Sequence, residues 1–176
     1  VEKRAFETEK DDYINLIYRI HFKEVPGGRF PFYLTQGKNV GLIVVVTLNR
    51  QRHPVLYTMV HTCGCYLAFI PTSFLPEDQW PDNWNKERQT VYSETLPGLL
   101  DFRDRPDGDF RVAMVVRHGT HRVMDVGGLA AFSLENHPVV KPAILPMDRL
   151  ESLHLDDQSP TSFFETSGSR VGYVKG

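Results

Sequence analysis

The chain has 176 residues and a net charge of −2 at pH 7, from 20 basic and 22 acidic side chains; this length suits one domain, and the near-balance argues against a general nucleic-acid binder, which normally carries a basic surplus. Hydrophobic residues make up 41% of the sequence, enough for a packed core and too many for wholesale disorder. No stretch reaches the roughly 18 apolar residues of a membrane helix, no targeting signal is visible, and the start at Val1 points to a processed or excised piece, which leaves the compartment and any protein or small-molecule partner open.

Residues 1–12 are mostly charged and read as a solvated lead-in with at most one helical turn. From Tyr13 the pattern alternates strictly. Ile14, Leu16, Tyr18, Ile20 and Phe22 fall on one face, with Asn15, Arg19 and His21 on the other. That period of two predicts a half-buried strand over 13–22. Turns are expected at 24–29 and 36–39, around a proline-broken apolar segment at 30–34. The continuous β-branched run 40–48 predicts a central strand covered on both faces. The polar connection 49–54 is short enough to make a hairpin between that strand and the apolar run 55–70.

The run 55–70 reads VLYTMVHTCGCYLAFI and is the longest apolar run in the chain. Read as one strand, it sets His61, Cys63 and Cys65 on a single face. Both cysteines of the protein are here. On a strand their backbones lie about 7 Å apart, too far for an unstrained bridge. Gly64 between them is the one cue for a bulge, which would throw Cys65 off the shared face.

Pro71, Pro76, Trp80, Pro81 and Trp84 mark an ordered loop. Asp82 or Asn83 suits the cap of a short helix carrying Trp84, Arg88, Val91 and Tyr92, and a second short helix is expected over 97–102. The aspartates of 101–109 surround a glycine, but their spacing is not that of a calcium loop, and a plain turn explains them better. Runs 110–118 and 121–126 predict a hairpin about Gly119 and Thr120 in a two-residue turn. His118 and His121 would then face each other, with Arg117 and Arg122 opposed on the other side. Beyond Gly127 periodicity is lost and prolines recur.

The expected fold is therefore α+β and mainly β. It is an antiparallel sheet, or a sandwich or partial barrel, with a few short peripheral helices in one domain over 1–176. The sheet core spans 13–126, and 127–176 forms an irregular wrap and tail. The best chemical candidate is a transition-metal or haem-type site on His61, Cys63 and Cys65, with His118 or His121 as further ligands and zinc as one candidate ion. Thiolate and imidazole together suit Zn²⁺, Cu(I) or iron. Against it stands simple burial, since free cysteines often behave as small apolar side chains. A cysteine- or carboxylate-dependent enzyme is the alternative, although no Gly-x-Ser-x-Gly, phosphate loop or His-Glu-x-x-His occurs. A third reading is an interaction domain presenting Phe74, Trp80 and Trp84.

Overall fold

The computed structural model describes residues 1–25, 37–105, 110–129, 143–153 and 159–172. Its main feature is a five-stranded antiparallel sheet in the order β1-β2-β3-β4-β5. The strands are β1 (Glu2–Glu7), β2 (Asp12–Val25), β3 (Gly37–Leu48), β4 (Pro54–His61) and β5 (Leu67–Pro71). Two hairpins follow, β6 (Arg88–Val91) with β7 (Glu94–Pro97), and β8 (Val112–Val116) with β9 (Val123–Gly128). Among the described residues the helical elements are short 3₁₀ turns at Glu77–Gln79, Met147–Glu151 and Gly168–Arg170. None of these helices is long and apolar enough to cross a membrane.

The expected strands at 13–22, 40–48, 110–118 and 121–126 correspond to β2, β3, β8 and β9. In the register, Tyr18 sits opposite Val44 and Ile20 opposite Leu42. Leu42 pairs with His61 and Val44 with Met59, and Met59 pairs with Ala68. One face of the sheet thus carries Leu42, Val44, Tyr57, Met59, Ala68 and Ile70 into a core with Leu96, Leu100, Phe102, Val123 and Val126. Each fully buried aliphatic or aromatic side chain there contributes about 1.5–3 kcal/mol. On the other face Ile43 and Val45 of β3 are half-buried. There Phe163 is buried completely, close over Gly41, where a Cβ would come within 2.9 Å of its ring.

Several expectations are corrected. The charged lead-in is not a helical turn but strand β1, paired with β2 from Glu2 opposite Ile17 to Glu7 opposite Asp12. It is an exposed edge, so neither face needs an apolar row, and charge on an edge strand blocks unwanted pairing. Strand β2 runs on through Val25 and β3 begins at Gly37, into the positions read as turns; the rest of that stretch, including the segment 30–34, lies outside the described residues.

The helices expected around 82–92 and 97–102 are absent. In their place stands the β6–β7 hairpin, with Val91 opposite Glu94 across Tyr92 and Ser93. Both turn residues have positive φ, 50° and 67°. This is the type I′ geometry that usually advertises itself with Asn or Gly, and here it does not. Leu100 instead forms a parallel bridge with Thr72.

Candidate functional site

The run 55–70 is not one strand. Strand β4 stops at His61, the chain turns through 62–66, and β5 returns antiparallel from Leu67. The turn is closed by its own backbone. The His61 N–H donates to Tyr66 O at 3.0 Å and the Gly64 N–H to His61 O at 2.8 Å. Where β4 leaves the sheet, the Thr62 N–H still donates to Gly41 O at 3.0 Å. The Gly41 N–H in turn finds the Thr62 hydroxyl at 3.1 Å, a side chain taking the place of the lost ladder carbonyl. Gly64 occupies the left-handed region at φ 72°, where a side chain would be strained. At its far end the turn is seated by Tyr66, which is buried and donates its hydroxyl to Val123 O at 2.8 Å. Burial pushes that phenol up to about 12.

Because the chain turns, the two cysteines approach. Their Cα atoms lie 5.4 Å apart and the sulfurs are joined in a disulfide. This overturns the expectation that they stand too far apart to bridge, which held only for an extended backbone. Cys63 is exposed and Cys65 half-buried, and apart from these two neighbours nothing lies within 4 Å of the place a Gly64 Cβ would take. The bridge encloses a loop of sequence separation 2. In the chain-entropy model a loop of about three residues stabilises by about 1.6 kcal/mol, against about 3 kcal/mol for one of 15. With the turn already closed by backbone hydrogen bonds, the disulfide adds little to the fold.

His61 ends β4 on the core face and is 1% exposed. Its Nε2 lies 2.9 Å from the carbonyl oxygen of His121, so the Nε2–H donates and Nδ1 carries the lone pair. That Nδ1 is buried and has no hydrogen-bond partner among the described residues. Burial holds the imidazole below the usual histidine range, the charge of Arg122 acts the same way, and the bond to His121 opposes them. The ring is therefore neutral at neutral pH, the form that ligates metals. A ring nitrogen of His61 and the sulfurs of Cys63 and Cys65 all lie within 4.8 Å of one another.

The loop that meets His61 comes from the β8–β9 hairpin. Arg117 and Arg122 are opposed as the pattern predicts, with the Arg117 N–H donating to Arg122 O at 2.8 Å. The two-residue turn does not form. The His121 N–H instead reaches Arg117 O at 3.0 Å, and His121 takes φ 56°, so His118 and His121 both lie in the open loop rather than facing across its neck. His118 is exposed. The His121 ring stacks on Phe22, centroids 3.9 Å apart and planes within 2°. It is thus the backbone carbonyl of His121 that touches His61, and neither loop histidine is a member of the three-residue cluster.

Sequence reasoning missed what fixes this loop. Glu94 is 6% exposed and receives a two-pronged contact from Arg117, Nε to Oε1 at 2.6 Å and Nη2 to Oε2 at 2.7 Å. Those hydrogen bonds hold the Glu94 carboxyl below the usual carboxylate range. Arg122 adds a bond from Nη1 to Tyr92 O at 3.2 Å and lies over the Tyr92 ring. A lone acid after an unmarked turn gave no signal in the sequence.

The other candidates are absorbed by packing. Trp80 and Trp84 donate their indole N–H groups to Leu75 O and Gly98 O, and Phe74 stacks on His53 and packs against Phe102 and Phe110. Asp101 is taken up by Arg103, and residues 106–109 of the acidic cluster lie outside the described residues. Compared with protein-family models, with curated proteins and with solved structures, the chain finds no match.

Proposed function

We propose that this chain is a β-rich binding domain that holds a transition-metal ion between β4 and β5, on His61, Cys63 and Cys65 in their dithiol form. The carrying observation is the cluster itself, three donor groups with ligand atoms within 4.8 Å of one another. The neutral, unpartnered Nδ1 of His61 supports it. Two thiolates and an imidazole are a soft set suited to Zn²⁺ or Cu(I). Three protein donors leave a coordination position for water or a ligand, and His118, from the neighbouring loop, is a further candidate donor. Burial of Phe163 on the sheet supports a single domain in which 127–176 wraps a core spanning 13–126.

The test is a Co²⁺ titration of the fully reduced protein, read by the thiolate-to-metal absorption band and checked by competition with Zn²⁺. One equivalent is expected, lost in Cys63→Ser and weakened roughly 10- to 100-fold or more in His61→Ala. A reduced protein that takes up less than about a tenth of an equivalent overturns the reading.

A further inference from the structure

The same two sulfurs are bonded to each other in this structure, and a sulfur in a disulfide is no thiolate ligand. The metal-holding form and the bridged form therefore exclude one another. We propose that the Cys63–Cys65 pair is an oxidation gate that releases the metal through thiol–disulfide exchange, entering at Cys63. The proposal rests on the metal reading above.

Three observations carry the gate. The turn is closed by His61, Gly64 and Tyr66 backbone hydrogen bonds that involve neither sulfur, so the fold tolerates both states. The exposures differ, with Cys63 exposed and Cys65 half-buried. Apart from the two cysteines, no atom lies within 4 Å of where a Gly64 Cβ would stand, so nothing else covers the turn between them.

The oxidant is a low-molecular-weight disulfide, RSSR. The Cys63 thiolate attacks one of its sulfurs, the other sulfur leaves as RS⁻, and a Cys63–S–S–R mixed disulfide forms. The Cys65 thiolate then attacks the Cys63 sulfur, forming the Cys63–Cys65 bond and expelling the second RS⁻. Two electrons pass from the two thiolates to RSSR, and the metal cation, left with His61 alone of its three protein ligands, departs unchanged in oxidation state when it is Zn²⁺. Run backwards with two thiols, the same steps restore the dithiol.

The experiment loads the reduced 176-residue chain with Zn²⁺ and adds oxidised glutathione, following free zinc with a chromophoric chelator and the protein by intact mass. One zinc is released per disulfide formed, and reduced glutathione restores binding. Cys65→Ser accumulates one glutathione on Cys63, whereas Cys63→Ser is modified at least tenfold more slowly. Zinc that stays bound while the disulfide forms, or equal modification of the two single variants, overturns the gate and leaves the metal reading standing. Failure of the reduced chain to bind zinc at all removes both.

Discussion

Strand β4 is entered and left through two turns of similar size, each closed by two backbone hydrogen bonds and different in what its side chains do. The 49–53 turn adds polar side-chain bonds to its backbone closure. Asn49 Oδ1 accepts from the His53 N–H at 2.9 Å, alongside the Asn49 and Arg52 backbone bonds, and exposed Arg50 reaches Asp12 at 2.6 Å. The 62–66 turn is closed by backbone bonds and seated by one buried phenol. The difference shows where reactive groups can be kept. At the first turn the Asn49 side chain bonds within the turn, and exposed Arg50 reaches out to Asp12. The two sulfurs of the second are surplus to its closure and remain available for chemistry.

Removing the anchors gives the largest effect. Tyr66→Ala empties a fully buried position and strands Val123 O, and costs about 3–5 kcal/mol in urea unfolding. Arg50→Ala at the other turn leaves the melting temperature unchanged, because an exposed ion pair is screened. Equal losses from the two variants would dissolve the contrast.

The next effect concerns the loop that brings His121 O to His61. The carboxylate of Glu94 is 7% exposed and the Arg117 side chain 45%, so the two halves of this pair are unequal. Arg117→Ala abandons a buried charge and costs about 3 kcal/mol, as for other broken buried pairs. Glu94→Gln leaves an arginine that can turn to water, and costs about 1–2 kcal/mol. The pH dependence follows from the lowered Glu94 pKa. The unfolded carboxyl binds its proton first as pH falls, so the stabilisation is complete above the ordinary carboxylate value of 4.5. It is lost as pH drops through the lower folded value. Unfolding free energies measured from pH 6 down to roughly 2.5 fall more steeply for the native protein than for Glu94→Gln; parallel curves would show that the pair carries no such linkage.

These regions also differ in how far the sequence discloses them. Strand β2 alternates because one of its faces meets the core, and the pattern of 13–22 says so. Strand β1 meets no core and shows no alternation. Within 55–70 the turn is hidden, because β4 and β5 both carry apolar residues on alternate positions and join without a polar break. Only Gly64 marks it, and the antiparallel return of β5 onto β4 separates a turn from a bulge in the structure alone. The cluster of His61, Cys63 and Cys65 is legible from residue type, although their placement on one strand face is not what brings them together. Folding of the chain back on itself does that. The Glu94–Arg117 contact joins residues 23 apart with nothing local to announce it.

The smallest expected effect separates the turns by backbone conformation alone. Each places one residue in the left-handed region, Arg52 at φ 65° and Gly64 at φ 72°. For a residue with a Cβ that conformation costs about 1–2 kcal/mol, offset in part by the greater freedom glycine loses on folding. Gly64→Ala meets no atom within 4 Å beyond its chain neighbours Cys63 and Cys65, so its cost is chiefly conformational, about 1 kcal/mol. Arg52→Gly runs the other way and gains up to about 1 kcal/mol. Paired thermal melts of the two variants, each in reduced and oxidised protein, test this directly. A Gly64→Ala loss present only in the oxidised protein would mean that the disulfide, rather than the backbone bonds of His61 and Gly64, dictates the turn's shape, and the sulfurs would then be structural after all.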